Sequence, residues 1–549
     1  MQESKNLIIA LILSSIVIIG WALFFPQDNK NASKKNNTEK NAEITKTENA
    51  NKKEDKNNDI KTVISAKEGK LIEISNGNIS IQIDTLGLKI KNIQLNSNHH
   101  SESIINKDLL AQFGFISNTN NMPNKETIWQ VQNTGKNEAT FTTTIDKTTF
   151  TQKFEIDEKS MVKIAVSVQN KGKLPISFMA FSRVNQNLAK IPPKNTISHE
   201  GLIAFAQAKL FEKSYSKVAK ENLVINSEDG KKSWLGFAEK YTMVSFINEG
   251  EQKITFSYKN NIEEAKNTFQ ADSVSKTYAL EPNANFEYST LLFIGTKHLK
   301  TLDYYAKKHD IPAFDKAIDF GSLYFITKPM FIMLSFIQKN VQNFAISIIL
   351  LTLFLKLLLL PLTMKSSISM AKMKNMQPEV KAIQEQYKDN KQILGQEIIK
   401  LYRKKNVNPL AGCLPMLLQI PIFFALYKVL YVSIEMKNAP LFLWIKDLSS
   451  PDPTSILNLY GLFNWNVPPF LGLLPIMFGL SMYLYQKVSP QPTEATQATM
   501  MKFLPIVMTV FMSSFAAGLL FYWIVSNIIS ALQQFVLEKF VLVKHIHKK

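Results

Sequence analysis

The chain has 549 residues, a formal net charge of +19, 45% hydrophobic residues and a single cysteine, Cys413. That length admits several domains, and one cysteine excludes a disulfide framework and any cysteine-based metal cluster. Positive charge fits an anionic membrane surface or nucleic acid. No compact basic-and-aromatic nucleic-acid module is legible, while apolar spans are plentiful, so the membrane reading stands and DNA is not an expected partner.

At the N-terminus a lysine flank precedes an uncharged, mostly apolar run over 7–25. The run is about long enough to cross a ~30 Å hydrocarbon core, Trp21 suits an interface, and Phe24, Phe25 and Pro26 make a poor cleavage site. An uncleaved anchor over 1–26, with its N-terminus in the cytoplasm, is expected. Residues 27–62 are mainly Asn, Lys, Glu and Thr. Such a composition cannot offset the entropy of ordering, so a disordered linker is expected.

From residue 63 the pattern changes. "KLIEISNGNISIQIDTLGLKIKNIQL" alternates apolar and polar residues, with turn signals at Asn76-Gly77 and Gly87. The style persists to about residue 294, followed by a helix-like "TKHLKTLDYYAKKHD". Many short strands with turn punctuation predict an all-β sandwich, placed with that helix at 63–310. Residues 311–342 carry apolar clusters broken at Lys328-Pro329. They read as an amphipathic helix lying in the interface plane, or as a helix packed on the β domain.

The remainder, 343–549, is dominated by spans. They fall at 343–362, in "GCLPMLLQIPIFFALYKVLYVSIEM", around 471–485, and in a long apolar region over 503–543. As one helix the last would be ~60 Å, about twice the hydrocarbon thickness. It must turn, and Ala516-Ala517-Gly518 is the expected place. A basic, charge-mixed stretch over 363–411 reads as a helical hairpin broken near Asp389-Asn390. This hairpin and the basic tail are expected in the cytoplasm. Six spans with both termini inside satisfy the charge distribution, making a polytopic α-helical membrane protein with a large soluble β domain outside the membrane.

Lys356 stands among leucines in "AISIILLTLFLKLLLLPLT". A charge there is a functional hypothesis by default, although a lysine near a helix end can also snorkel to the headgroups. Thr352 lies one turn earlier on the same face. Gln419, Gln486, Tyr522, Trp523, Ser526 and Asn527 on other spans either make packing hydrogen bonds between helices or converge on a wet cavity open to the cytoplasm. Lys428 reads as snorkelling toward the outer side. No histidine falls in a span and no HExxH, phosphate loop or paired intramembrane acids appear. No catalytic residue, metal or cofactor is therefore expected, and an enzyme is not. Met370, Met373 and Met376 recur at helical spacing; they suit either handling of varied apolar guests or ordinary packing of the hairpin.

"KSSISMAKMKNMQPEV", "LYRKKNVNPLAGCLPMLLQIPIFFALY", "LFLWIKDLSSPDP", "YQKVSP" and "GLLFYWIVSNIISALQQ" closely resemble the YidC/Oxa/Alb family of membrane-protein insertases. The order of anchor, linker and β block is similar to its Gram-negative members. The resemblance implies a five-span insertase core and a periplasmic β super-sandwich, in the bacterial inner membrane. The core would enclose a hydrophilic groove open to the cytoplasm and lipid. A groove cation would attract acidic extracellular segments of nascent membrane proteins, without ATP. Implied partners are the Sec translocon, the ribosome and targeting factors at the hairpin and basic tail, and membrane lipids. Position by position, the groove cation falls on Lys356, where the family usually has arginine. The groove threonine falls on Thr352 and the aromatic pair on Tyr522 and Trp523. Ala516 stands where a proline is frequent. Two other classes remain: an ion or small-solute channel or transporter using the same cavity, and a glycan-binding β module with the spans as anchor.

Overall fold

The computed structural model describes residues 68–95, 109–192, 198–228, 230–249, 253–263, 266–388, 390–405, 407, 414–441, 444–461, 463, 471–489, 495–537 and 539. The expected anchor over 1–26, the linker over 27–62, Cys413 and the end of the basic tail lie outside these residues.

Strict alternation of apolar and polar residues builds two antiparallel sheets. One runs, edge to edge, through Leu71–Ser75, Ile79–Asp84, Lys89–Leu95, Leu109–Ile116, Ile176–Leu188, Lys266–Ser275, Ile254–Glu263 and Leu223–Asn226, with Tyr278–Leu280 beside Ile176–Leu188. The other runs through Lys209–Ser214, Gly201–Ala206, Ser233–Ala238, Thr242–Asn248, Asn285–Thr296, Met161–Asn170, Thr148–Ile156, Glu138–Ile145 and Gln130–Thr134. Side chains of period two, such as Phe150 and Phe154 or Phe113 and Phe115, point into the space between the sheets. There Phe115 meets Phe150 at 5.4 Å and Phe113 stacks on Tyr288 at 5.7 Å, ring centre to ring centre. The expected turns are in place, with Gly77 at φ +92° and Gly87 at φ +75°, backbone that glycine alone adopts without strain.

Nine helices of ten residues or more follow among the described residues: α1 Leu299–Lys308, α2 Tyr324–Val341, α3 Phe344–Asn375, α4 Gln377–Gln386, α5 Lys391–Lys404, α6 Leu414–Val432, α7 Leu473–Val488, α8 Ala495–Met512 and α9 Ala517–Val536. The turn expected at Ala516-Ala517-Gly518 separates α8 from α9. Gly518 packs closely there: a Cβ would lie 3.1 Å from the Leu448 carbonyl oxygen and would displace the Met436 methyl. Helices α3 and α9 are long and apolar enough to cross a membrane by length and composition, and Leu417–Val432 and Thr499–Met512 are shorter apolar segments. The hairpin breaks where the sequence placed it, with Asn390 capping α5 through its side chain. Its start differs. The span expected to end at 362 continues as helix through Pro361 to Asn375, so the hairpin expected over 363–411 begins as an extension of α3. One proline removes a single backbone donor, and the helix resumes past it. Helix α2 packs on α3 and α6, with Met330, Phe331 and Leu334 buried. Phe325 and Phe336 on its opposite side are 71% and 68% exposed.

The two parts share one core. Trp234, Met243 and Phe293, on the outer face of the second sheet, join an apolar cluster that continues through Leu302, Tyr305 and Phe314 to α2, α3, α6, α7 and α9. Charged groups cross the same seam. Lys428 of α6 pairs with Asp319 at 2.7 Å, and the same carboxylate oxygen accepts the His199 backbone N–H at 2.8 Å. Glu435, just past α6, meets His298 Nδ1 at 3.2 Å and Ser433 Oγ at 2.6 Å. Lys240 lies 3.8 Å from the centre of the Tyr431 ring.

Lys297 is buried at this seam and forms no ion pair with any described residue. Burial pushes its ammonium down from 10.5 to about 8, and burial likewise pushes the Glu212 carboxyl up to about 7 and His199 down to about 4. The cationic form of Lys297 is disfavoured in the fold, so the unfolded chain binds this proton more tightly. Its penalty is complete below pH 8 and fades as the pH rises from about 8 to 10.5. Lys297→Met should therefore raise stability at pH 7 by about 3 kcal/mol, with the gain vanishing toward pH 10.5. Thermal and denaturant unfolding of the detergent-solubilised chain across that range measures it.

Candidate functional site

The site is assembled from α3, α6, α7 and α9. The last of these packs against each of the other three. It is buried over much of its length, including Tyr522, Ser526 and Asn527. The loop after α6 fixes its start, because Ala517 and Gly518 donate their N–H groups to the Ser450 and Leu448 carbonyls at 2.8 and 2.9 Å. Those two donors would otherwise be orphaned at the helix N-terminus. The same loop starts α7. Asp452, 1% exposed, accepts from Leu474 N–H at 2.7 Å, Trp444 Nε1 at 3.0 Å and Thr454 N–H at 2.9 Å. A carboxylate at a helix N-terminus satisfies its donors and its dipole together.

The polar side chains expected from the sequence are partly brought together. Gln419 Nε2 of α6 donates to the Tyr522 hydroxyl of α9 at 2.8 Å. Trp523 packs between Phe423 and Phe478, at 5.3 and 6.0 Å, and its buried Nε1 has no hydrogen-bond partner among the described residues. Asn527 turns to α7, where its Nδ2 donates to Ser481 Oγ at 3.0 Å. Gln486 lies half-buried near the end of α7. Thr352 departs from the expected stripe. It is 1% exposed and donates its hydroxyl to the Ile348 carbonyl of its own helix at 2.6 Å, a bond always within reach of a threonine in a helix. Lys356 is half-buried and makes no ion pair or hydrogen bond with a described residue. The structure thus joins Gln419 to Tyr522, and Asn527 to α7, while Lys356 stands apart from both pairs.

Sequence reasoning missed a second set of contacts. Gln533 Nε2 donates to Thr363 Oγ1 at 2.6 Å, and Ser367 Oγ donates to Gln534 Oε1 at 3.0 Å. They join α3 to α9 on the hairpin side of Lys356. Thr363 and Ser367 are one helical turn apart, and that spacing was the available signal. Lys428, expected to snorkel to headgroups, pairs instead with Asp319. Met370 and Met373 are half-buried, and Met376 is buried at the corner between α3 and α4 with Val380. Among the described residues no three His, Cys, Asp or Glu side chains are grouped to hold a metal ion.

Residues 71–333 match the family model described as the YidC periplasmic domain, and 336–544 match that of the 60Kd inner membrane protein. The "Membrane protein insertase YidC" of Rickettsia bellii is 36% identical over 558 aligned positions, covering 97% of this chain and 98% of that protein. The chain belongs to the YidC family of membrane protein insertases. The Rickettsia prowazekii protein of the same name is also 36% identical, over 97% of this chain and 99% of its own length. A solved YidC insertase structure aligns over 85% of this chain and 94% of its own, at 16% identity and a TM-score of 0.37. The β sandwich is thus the periplasmic domain of this family and the helical region its inner-membrane part. Nothing in these matches supports a channel.

The Gln419–Tyr522 bond yields a direct test of this geometry. Tyr522→Phe should lower stability by roughly 1 kcal/mol, read as a fall in the unfolding temperature in detergent. Adding Gln419→Leu to it should cost little more, because the partner is already lost.

Proposed function

We propose that the chain receives nascent membrane proteins in a groove lined by α3, α6, α7 and α9 and passes their helices sideways into the bilayer. The chain crosses the membrane six times, the N-terminal anchor preceding a five-span core that carries the activity, with the hairpin and both termini in the cytoplasm and the β domain in the periplasm. The observation that carries this reading is Lys356. Its ammonium sits half-buried in an apolar helix, with no ion pair to a described residue. A cation in that setting is costly unless it is hydrated or meets an anion, and an acidic flank of a guest supplies one. Trp523 and Phe423, both half-buried, offer a guest helix an apolar surface beside the Gln419–Tyr522 pair. The charge-rich hairpin suits ribosomes and targeting factors, and the Sec translocon and membrane lipids are the further partners of this reading.

Charge is tested at Lys356 itself. In proteoliposomes Lys356→Arg should insert acidic-flanked guests within about twofold of the parent chain. Lys356→Glu should lose about tenfold, the scale of one partly screened charge contact. Guests with uncharged flanks should be much less affected, and equal insertion of acidic-flanked guests by the parent and Lys356→Glu would sink the charge step.

Placement is tested by photocrosslinking from a ribosome-stalled guest. Probes at Gln419 and Trp523 should capture it. A probe at Leu358, 65% exposed on the outside of α3, should not. Capture at Leu358 alone would move the guest out of the groove.

A further inference from the structure

Three side chains at and just past the outer end of α6 meet the β domain. Lys428 and Tyr431, three residues apart, share one face of α6, and Glu435 follows in the short turn after it, Ile434–Met436. Each meets a residue from a different segment associated with the β domain. Lys428 pairs with Asp319 at 2.7 Å, Tyr431 lies under Lys240 at 3.8 Å, and Glu435 meets His298 at 3.2 Å. These partners belong to the turn before α2, the turn between Ser233–Ala238 and Thr242–Asn248, and the cap of α1. The Asp319 carboxylate is itself fixed by two backbone donors, His199 at 2.8 Å and Gly321 at 3.0 Å. Gly321, at φ +72°, lies over the stem of Lys428, leaving only 3.4 Å between a Cβ built there and Lys428 Cε.

We propose that Asp319 and Lys428 are positioning residues for insertion, clamping the outer half of α6 to the β domain and so holding Gln419 against Tyr522. The lever is short. Lys428 and Gln419 lie on one helix, about 14 Å apart at 1.5 Å per residue. A shift of the outer end therefore moves the Gln419 side chain, and a hydrogen bond of 2.8 Å does not survive a displacement of about 1 Å. Lys428 would lose its carboxylate partner without Asp319, and breaking such a pair from one side is more damaging than replacing it whole. The clamp explains why a β domain with no evident chemistry is built into the same apolar core as the spans. It rests on the groove reading above, since it acts through Gln419 and Tyr522.

The test uses the full chain in proteoliposomes and reads both guest insertion and guest crosslinking from a probe at Trp523. Lys428→Met and Asp319→Asn should each lower both by about tenfold, while limited proteolysis shows the β domain still folded. Lys428→Arg keeps the pair and should stay within about threefold of the parent chain. The double variant Asp319→Asn/Lys428→Met should be no worse than either single change. Lys428→Met that inserts and crosslinks like the parent overturns the clamp, as does Lys428→Arg that fails as badly as Lys428→Met. If Asp319→Asn does not accumulate, Lys428→Met and Lys428→Arg decide between them, because both leave the β domain's own residues intact. A parent chain that neither inserts nor crosslinks would instead remove the groove reading, and the clamp with it.

Discussion

The arrangement depends on one apolar core that does not stop at the edge of the β domain. The outer face of the second sheet cannot be left in water, because Trp234 and Phe293 are fully buried in the fold and each would otherwise expose a large ring. Helix α1 and Phe314 cover them, and the same cluster passes into the helices. The segment between β domain and spans is therefore packed: Ile311, Phe314, Ile318 and Phe320 are all buried. A domain joined in this way sets the height and direction at which α2 enters. Charged groups along the seam then add register to an attachment whose strength is apolar.

Within the helical region the polar groups follow a division of labour. Those that join helices are satisfied by one another: Gln419 with Tyr522, Asn527 with Ser481, Gln533 with Thr363 and Gln534 with Ser367. Interhelical bonds of this kind contribute modestly each, but an unpaired amide in hydrocarbon is expensive, so they specify which faces meet. Asp452 does the same for the loop that starts α7 and, through its neighbours, α9. The Trp523 indole N–H and the Lys356 ammonium lie outside these pairs; Lys356 is the charged one. It is kept off this network in a chain that pairs its other span lysine, Lys428, directly with a carboxylate.

Much of this was legible in the sequence where one element speaks for itself. Period-two patterning marked the strands, apolar length marked α3 as long enough to cross a membrane, and the need to fold a ~60 Å apolar run back on itself located the turn before α9. The family was legible in motifs such as "NPLAGCLPMLLQIPIF". What escaped is what depends on two distant positions at once. Asp319 and Lys428 are 109 residues apart, and nothing local to Lys428 distinguishes a paired lysine from a snorkelling one. Thr352 was ambiguous for the opposite reason: its hydroxyl has a partner in its own helix, and only packing decides between that carbonyl and a cavity. The span reads as 343–362 because basic residues follow it, whereas a change from apolar to charged composition need not end a helix, and α3 runs on to Asn375.

The unbroken length of α3 has a mechanical consequence. Thirty-two residues make a rod of about 48 Å, so the hairpin and Lys356 are mounted on the same shaft rather than joined by a flexible loop. A displacement of the hairpin end of α3 is therefore carried to Lys356 along one continuous helix. The one weak joint is Pro361, five residues beyond Lys356, where the ladder lacks a donor.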